Sequence, residues 1–104
     1  MTALAAGNLR DAGDGRYCLG GAVTVATVTA LRALGLQAFA SHPGPIEVDL
    51  SEVERADSGA LALLIDWLAW ARAAGRAMKF SALPVALLAL ARLSDVEELL
   101  VGGQ

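Results

Sequence analysis

The segment that most constrains the fold runs from Ser58 to Ala74, because its apolar residues lie on two opposite sides of a helix. At about 100° per residue, one contiguous stripe contains Leu61, Leu64, Ile65 and Leu68. The opposite side carries Leu63, Trp67, Trp70 and Ala74. A helix that lies on a sheet buries only one of these faces, so we predict that the first stripe packs on a sheet. We predict that the tryptophan face binds a partner, since tryptophan dominates many binding surfaces; the alternative is a neighbouring helix that covers it.

The segments around this helix alternate between strand and helix patterns, which predicts an α/β domain with a small mixed sheet and helices packed on it. Ile46–Leu50 alternates apolar and acidic residues and predicts a central strand, and the sequence "RAMKF" predicts another strand that ends at Phe80. Helices are predicted from Thr27 to Gly35 or Gln37, from Ser58 to Ala74 with Gly75 as its stop, and from Pro84 onward. The final "SDVEELL" fits a short helix or an edge strand.

The N-terminal part predicts a leader followed by one domain. Residues 1–15 mix Ala, Gly, Asp and Asn without periodicity, so we expect them to be loosely ordered. The segment "RYCLGGAVTVATV" then predicts two short strands joined at Gly20-Gly21. The domain is therefore expected to span residues 16–104, a length that suits a single core.

Composition excludes several classes of function. The net charge of -3, with basic residues scattered through the chain, gives no positive stripe for nucleic acid. One cysteine, Cys18, and one histidine, His42, cannot form an intrachain disulfide or a cysteine-based zinc site, so a reducing cytoplasm is expected. No export pattern and no membrane span is predicted. Apolar residues make up 56% of the chain and charged residues 18%, so we predict that some apolar surface stays exposed and binds a partner.

The sequence Asp57-Ser58-Gly59 opens the apolar helix. Ser58 stands where an N-cap is expected, with its hydroxyl accepting a hydrogen bond from a free backbone N–H of the first turn. Asp57 could orient that hydroxyl or favour the positive end of the helix. The same position would also suit a switch, because a phosphate on Ser58 would meet the helix dipole favourably while repelling an apolar partner. The sequence leaves both roles open.

The segment "VDLSEVERADSGALALL" resembles the core signature of STAS domains, in which a strand ending in Asp-Leu-Ser precedes a short loop and an Asp-Ser or Asp-Thr pair that opens an apolar helix. The resemblance extends from about Arg16 to Leu100. In the anti-sigma-factor antagonists of this family the hydroxyl residue after the Asp is phosphorylated, which implies Ser58. Gly59 and Ala60 reverse the usual family order of a small residue followed by glycine.

The ending "LPVALLALARLSDVEELL" is most similar to the small cytoplasmic STAS subunits of Mla-type phospholipid-transport ABC complexes. This resemblance implies a non-catalytic adaptor that binds the ATPase subunit beside the inner membrane and helps to maintain outer-membrane lipid asymmetry. It implies partner contacts at Asp57, Ser58 and Gly59. The helical periodicity predicts further partner contacts at Leu63, Trp67 and Trp70. The resemblance implies no cofactor.

The sequence leaves two alternatives to this adaptor. An anti-sigma-factor antagonist, switched by a partner kinase at Ser58, is the main alternative. A hydrolase that uses Ser58 is remote, because no general base can be placed beside it and the sequence has no phosphate loop or metal-ligand spacing. No catalytic residue and no metal ligand is therefore predicted.

Overall fold

The computed structural model describes residues 7–101, which form four strands and four helices. In chain order these are β1 (Asn8–Gly13), β2 (Arg16–Val23), α1 (Val28–Ala40), β3 (Ile46–Ala56), α2 (Ser58–Ala73), β4 (Met78–Ser81), α3 (Val85–Leu93) and α4 (Glu97–Val101). The predicted α/β class is confirmed, and the undecided last segment is a short helix. Helix α2 matches its predicted bounds to one residue, whereas α1 continues past Gln37 to Ala40 because Phe39 is buried in the core.

The four strands form one mixed sheet in the order β1-β2-β3-β4. β1 is antiparallel to β2, and β2, β3 and β4 are parallel to one another, so β3 is central as predicted. At the carboxyl ends of the parallel strands, Val23 of β2 lies opposite Ala56 of β3. Helices α1 and α2 both follow from this edge, which brings their first turns together.

The prediction for the N-terminal segment is wrong over the part that the structure describes. Residues 8–13 form the edge strand β1 instead of a leader, and the chain turns into β2 through Gly13, Asp14 and Gly15, all with positive φ. The Asp14-Gly15 pair is a typical hairpin turn sequence. Residues 1–6 and 102–104, which belong to the predicted leader and domain, lie outside the described residues.

The predicted turn at Gly20-Gly21 is also wrong, since both glycines lie inside β2. The register with β3 shifts on either side of them, and Gly21 has φ +74°, as in a β-bulge. A Cβ at Gly20 would come within 3.1 Å of the Glu52 Cβ, so glycine allows the two strands to approach. The glycine pair therefore marks a bulge in a continuous strand.

The helices cover the sheet face that carries the buried residues Ile46, Val48 and Leu50. The intervening residues Glu47 and Asp49 face the other side, where Lys79 lies 3.8 Å from Glu47. The buried core contains aromatic and aliphatic side chains from both layers, including Tyr17, Leu19, Leu31, Phe39, Leu64, Trp67, Phe80, Leu87 and Leu100. Within it, Phe39 contacts Tyr17 and Trp67 edge-on, at ring centroid distances of 5.1 and 5.2 Å.

Helix α2 ends at the predicted glycine. Gly75 has φ +69°, its N–H donates to the Arg72 carbonyl at 3.1 Å, and the Arg76 N–H donates to the Ala71 carbonyl at 2.8 Å. This pair of bonds is the Schellman motif, which favours glycine because the stop requires a left-handed residue. The side chain of Arg76 is thereby directed back towards the end of α1.

Candidate partner-binding site at the start of helix α2

Asp57, rather than Ser58, caps helix α2, so the predicted capping role of Ser58 is wrong. Asp57 has extended backbone angles (φ −133°, ψ −163°), and its Oδ1 accepts a hydrogen bond from the Gly59 N–H at 2.7 Å. A carboxylate next to the positive end of the helix makes a stronger bond there than a hydroxyl. Ser58 becomes the first helical residue, and its exposed hydroxyl makes no hydrogen bond to another residue between 7 and 101.

The carboxylate of Asp57 also binds the loop between β2 and α1. The Val25 N–H donates to Oδ1 at 3.1 Å and to Oδ2 at 3.3 Å. Within the loop, the Thr27 hydroxyl donates to the Ala22 carbonyl at 2.8 Å and accepts from the Thr24 N–H at 3.0 Å. The loop is therefore tied both to its own strand and, through Asp57, to the start of α2.

Gly59 is buried where this loop crosses the first turn of α2. A Cβ at Gly59 would lie 2.6 Å from the Val25 nitrogen and 2.8 Å from the Thr24 carbonyl carbon, both of them backbone atoms. Only glycine fits this approach without a shift of the loop, which accounts for the order Ser58-Gly59-Ala60. The prediction that Gly59 contacts a partner is wrong, because the loop covers it.

Four exposed residues remain at the start of α2, and we call them the Val25–Ser58 surface: Val25, Ala26, Ser58 and Ala62. The Val25 side chain is 68% exposed. Beyond Ala62, a cavity of about 280 Å³ lies between α1 and α2, with the Arg32–Asp66 ion pair on its rim at 3.3 Å. The Val25–Ser58 surface is thus small and mostly apolar, carries one hydroxyl, and borders this cavity, which forms a groove between α1 and α2.

The predicted tryptophan face is wrong, because Trp67 is 0% exposed and Leu63 is 1% exposed. Helix α1 covers them, as in the alternative that the sequence left open. A Cβ at Gly35 would lie 2.4 Å from the Trp67 ring, so glycine lets the two helices come close. The Trp67 Nε1 donates a long hydrogen bond of 3.4 Å to the Arg32 carbonyl.

Trp70 is partly covered as well, so the predicted contact at this residue lacks the free indole on which it depended. Its ring lies 5.9 Å from that of Phe39, and the Arg76 guanidinium stands 5.5 Å from the ring centroid. The same guanidinium donates to the Phe39 carbonyl at 2.6 Å and to the Gly44 carbonyl at 2.9 Å. Arg76 therefore joins the ends of α1 and α2 over the indole.

Two side chains with shifted pKa values, Tyr17 and Asp49, lie on strands β2 and β3 and not in the first turn of α2. Burial raises the pKa of Tyr17, whose hydroxyl donates to the Ala38 carbonyl at 3.2 Å. The backbone and side chain of Ser51 hydrogen-bond Asp49 and lower the pKa of its carboxyl. Both shifts follow from local packing and hydrogen bonding.

No arrangement typical of catalysis or metal binding was found among the described residues. Between residues 7 and 101, no group of three or more His, Cys, Asp or Glu side chains could hold a metal ion. His42 is exposed and lies 3.8 Å from Asp11, and Cys18 is half-buried in β2. In the same part of the chain, no helix combines the length and apolar character required to cross a membrane.

A mixed four-stranded sheet under a layer of helices, with an Asp-Ser pair opening the helix after the long central strand, is the arrangement expected of a STAS domain. The chain belongs to this family: the family model described as "Mlab, STAS domain" matches residues 6–102. Domains of this family are in general non-catalytic. A search of curated proteins found no match.

Sequence reasoning missed Val25 and the neighbouring loop, because "TVATVT" looks like part of a strand. The spacing Thr24-x-x-Thr27 was the available signal, since hydroxyl side chains at that spacing close turns at helix starts. For the buried tryptophan, the signal was Gly35, a residue that is unfavourable inside a helix unless close packing requires it.

Proposed function

We propose that the chain is a non-catalytic adaptor that binds the ATPase subunit of an Mla-type phospholipid-transport ABC complex. Through this subunit it would reach the inner-membrane permease, so the chain would work in the cytoplasm beside the membrane without spanning it. Its binding would stabilise or regulate the ATPase and so help to maintain outer-membrane lipid asymmetry. The proposal rests on the family described as "Mlab, STAS domain" and on the exposed start of α2.

The observation that supports this most directly is the Val25–Ser58 surface. A valine that is 68% exposed stands beside an exposed serine and two exposed alanines, on backbone fixed by the Asp57 carboxylate. A partner can approach such a surface closely because the side chains are short, and the groove beyond Ala62 can receive one apolar side chain of that partner. The binding energy would come from this apolar contact instead of from tryptophan anchors.

An adaptor is favoured over an enzyme because, within residues 7–101, no activating base lies beside Ser58. Both oxygens of the adjacent Asp57 accept backbone N–H groups, so this carboxylate is occupied in holding the fold. The single histidine of the chain, His42, lies beside Asp11 rather than Ser58. A serine nucleophile requires a base within hydrogen-bond reach.

The test is binding to the purified ATPase subunit of the Mla-type transporter from the same genome, measured by biolayer interferometry. Val25→Glu and Ser58→Asp should each weaken binding at least tenfold, because they place a charge on a surface that becomes desolvated. Ser58→Ala should have less effect than Ser58→Asp, since it removes the hydroxyl without adding charge.

Leu93→Glu is the matched control, because Leu93 is 85% exposed and lies at the far end of α3. It should bind like the unmodified chain. The proposal is wrong if the unmodified chain does not bind the ATPase, or if Val25→Glu and Leu93→Glu bind equally well.

The second candidate is an anti-sigma-factor antagonist, and the exposed Ser58 hydroxyl in the first turn of α2 favours it. A phosphate there would be accepted by the helix dipole. An anti-sigma kinase from the same genome, incubated with the chain and ATP, should then phosphorylate Ser58 but leave Ser58→Ala unmodified. Phosphorylation in that assay, without binding to the ATPase, would favour the antagonist over the adaptor.

A further inference from the structure

Asp57 joins two parts of the chain that are far apart in sequence. Its Oδ1 accepts the Gly59 N–H at 2.7 Å, inside α2, and its two oxygens share the Val25 N–H at 3.1 and 3.3 Å, 32 residues earlier. A helix cap needs only the first of these bonds. The bonds to Val25 therefore do more than cap the helix. They fix the loop between β2 and α1, which we call the Val25 loop, relative to the start of α2.

The other side-chain hydrogen bonds of the Val25 loop lie within the loop and its own strand, and the Asp57 N–H reaches only the Val23 carbonyl at the end of β2, at 3.4 Å. The Thr27 hydroxyl ties the loop to Ala22 and Thr24, which hold its internal shape. Gly59 allows the approach to α2 but supplies no attraction, since its contribution is the absence of a Cβ. Among the described side chains, Asp57 is the one whose polar atoms bridge the loop and the helix.

We propose that Asp57 is a positioning residue for partner binding: its carboxylate holds Val25 next to Ser58, so that the two form one surface. The proposal rests on the proposed function and deepens it, because it names the residue that assembles the binding surface without lying on it. Affinity is gained when a surface is held in its bound arrangement beforehand, since less ordering is then required on binding.

Asp57→Ser separates the two roles of this residue. A serine at the N-cap still accepts the Gly59 N–H, so α2 remains capped. Its hydroxyl oxygen lies one bond nearer the backbone than the carboxylate oxygens, so a serine that accepts the Gly59 N–H should no longer reach the Val25 N–H, and the loop loses its attachment to α2. Asp57→Asn is the conservative variant, because its amide oxygen can still serve both N–H groups.

The first measurement is amide hydrogen exchange by NMR on the isolated full chain. In Asp57→Ser, the Val25 amide should exchange roughly tenfold faster or more, the size expected for the loss of a hydrogen bond to a charged group. The Gly59 amide should change much less, and Leu64 in the middle of α2 serves as the reference for global stability. The exchange rate of the Val25 amide in Asp57→Asn should lie between the rates in Asp57→Ser and in the unmodified chain.

The second measurement is a double-mutant cycle of binding to the ATPase subunit, with Val25→Ala and Asp57→Ser. If Asp57 acts through Val25, the loss caused by Val25→Ala should shrink from roughly tenfold in the unmodified chain to less than about twofold in Asp57→Ser. Gly59→Ala offers an independent route, since its Cβ would displace the same loop while leaving the carboxylate intact. It should weaken binding as Asp57→Ser does.

The outcomes separate this inference from the proposed function. The inference is overturned if Val25 exchange is unchanged in Asp57→Ser, or if Val25→Ala weakens binding equally in both backgrounds. If the unmodified chain does not bind the ATPase, the proposed function fails and the docking role of Asp57 fails with it. The exchange measurement needs no partner and decides in either case whether Asp57 holds the loop.

Discussion

The two ends of helix α2 differ in what covers them. Towards its C-terminal end, Trp67 is fully buried under α1 and Trp70 lies beneath the Arg76 guanidinium. At its N-terminal end, Ser58 and Ala62 are exposed beside Val25. The large residues therefore stabilise the domain, and the small ones provide the surface that a partner can reach.

This difference shows that the size of an apolar side chain is a poor guide to its exposure in a domain with two layers. The sheet takes one face of α2, and the neighbouring helix takes the opposite face. In its first turns α2 keeps Ser58 and Ala62 exposed to solvent, where the side chains of α2 and of the adjacent loop are short. Trp67 was one of the two tryptophan anchors predicted from the helical wheel, yet it is inaccessible to a partner.

The largest expected effect tests the buried end. Trp67→Ala should lower the free energy of unfolding by about 3–5 kcal/mol, because it leaves a large cavity between α1 and α2. Trp70→Ala should cost less, since this ring is only partly buried. Urea unfolding followed by circular dichroism compares the two. An equal or larger cost for Trp70→Ala would contradict the assignment of Trp67 as the main contact between the helices.

A smaller effect is expected where Arg76 closes the same end. Arg76→Lys should lower the free energy of unfolding by about 1–2 kcal/mol, because an ammonium does not match the planar fork that reaches the Phe39 and Gly44 carbonyls over Trp70. Arg55→Lys is the matched control on an exposed part of β3 and should be neutral. Equal stability of the two variants would show that Arg76 does not fasten this end of the helices.

The smallest effect belongs to the open end. Ser58→Ala should change the free energy of unfolding by less than about 0.5 kcal/mol, since its hydroxyl is exposed and is not the cap. Asp57→Ala should cost about 1 kcal/mol or more. Thermal unfolding of the two variants measures the difference in their stability. A Ser58→Ala cost that matches the Asp57→Ala cost would return the capping role to Ser58 and weaken the contrast between the two ends.

The sequence predicted the part of the fold in which local patterns and tertiary structure agree. Ile46–Leu50 alternates because one side of β3 is buried, and Gly75 stops α2 because a left-handed residue is needed there. The first strand was missed because Asn8–Gly13 lacks the β-branched and aromatic residues typical of strands. Its place at the edge, paired with β2 through a tight turn, tolerates such a composition.

The proposed site lies at the Asp-Ser-Gly sequence, but its tertiary contacts do not follow from that sequence. The Asp-Ser-Gly sequence indicated the start of α2, yet Asp57 also binds the loop around Val25, 32 residues earlier, and no local pattern carries that contact. The cover over Trp67 likewise depends on Gly35, which lies in another helix. Both features arise from the approach of α1 to α2, so they follow from the packing of the whole domain.

The closeness of Gly35 and Trp67 restricts how this domain can change over generations. A methyl group at position 35 has no room while the indole occupies its present place, and a smaller ring at position 67 would leave a void opposite the glycine. Either replacement alone carries a penalty that the other can relieve. Among descendants of a common ancestral sequence, the side-chain volumes at these two positions should therefore vary together, whereas under the proposed function the residues at positions 25 and 62 should vary with the shape of the partner.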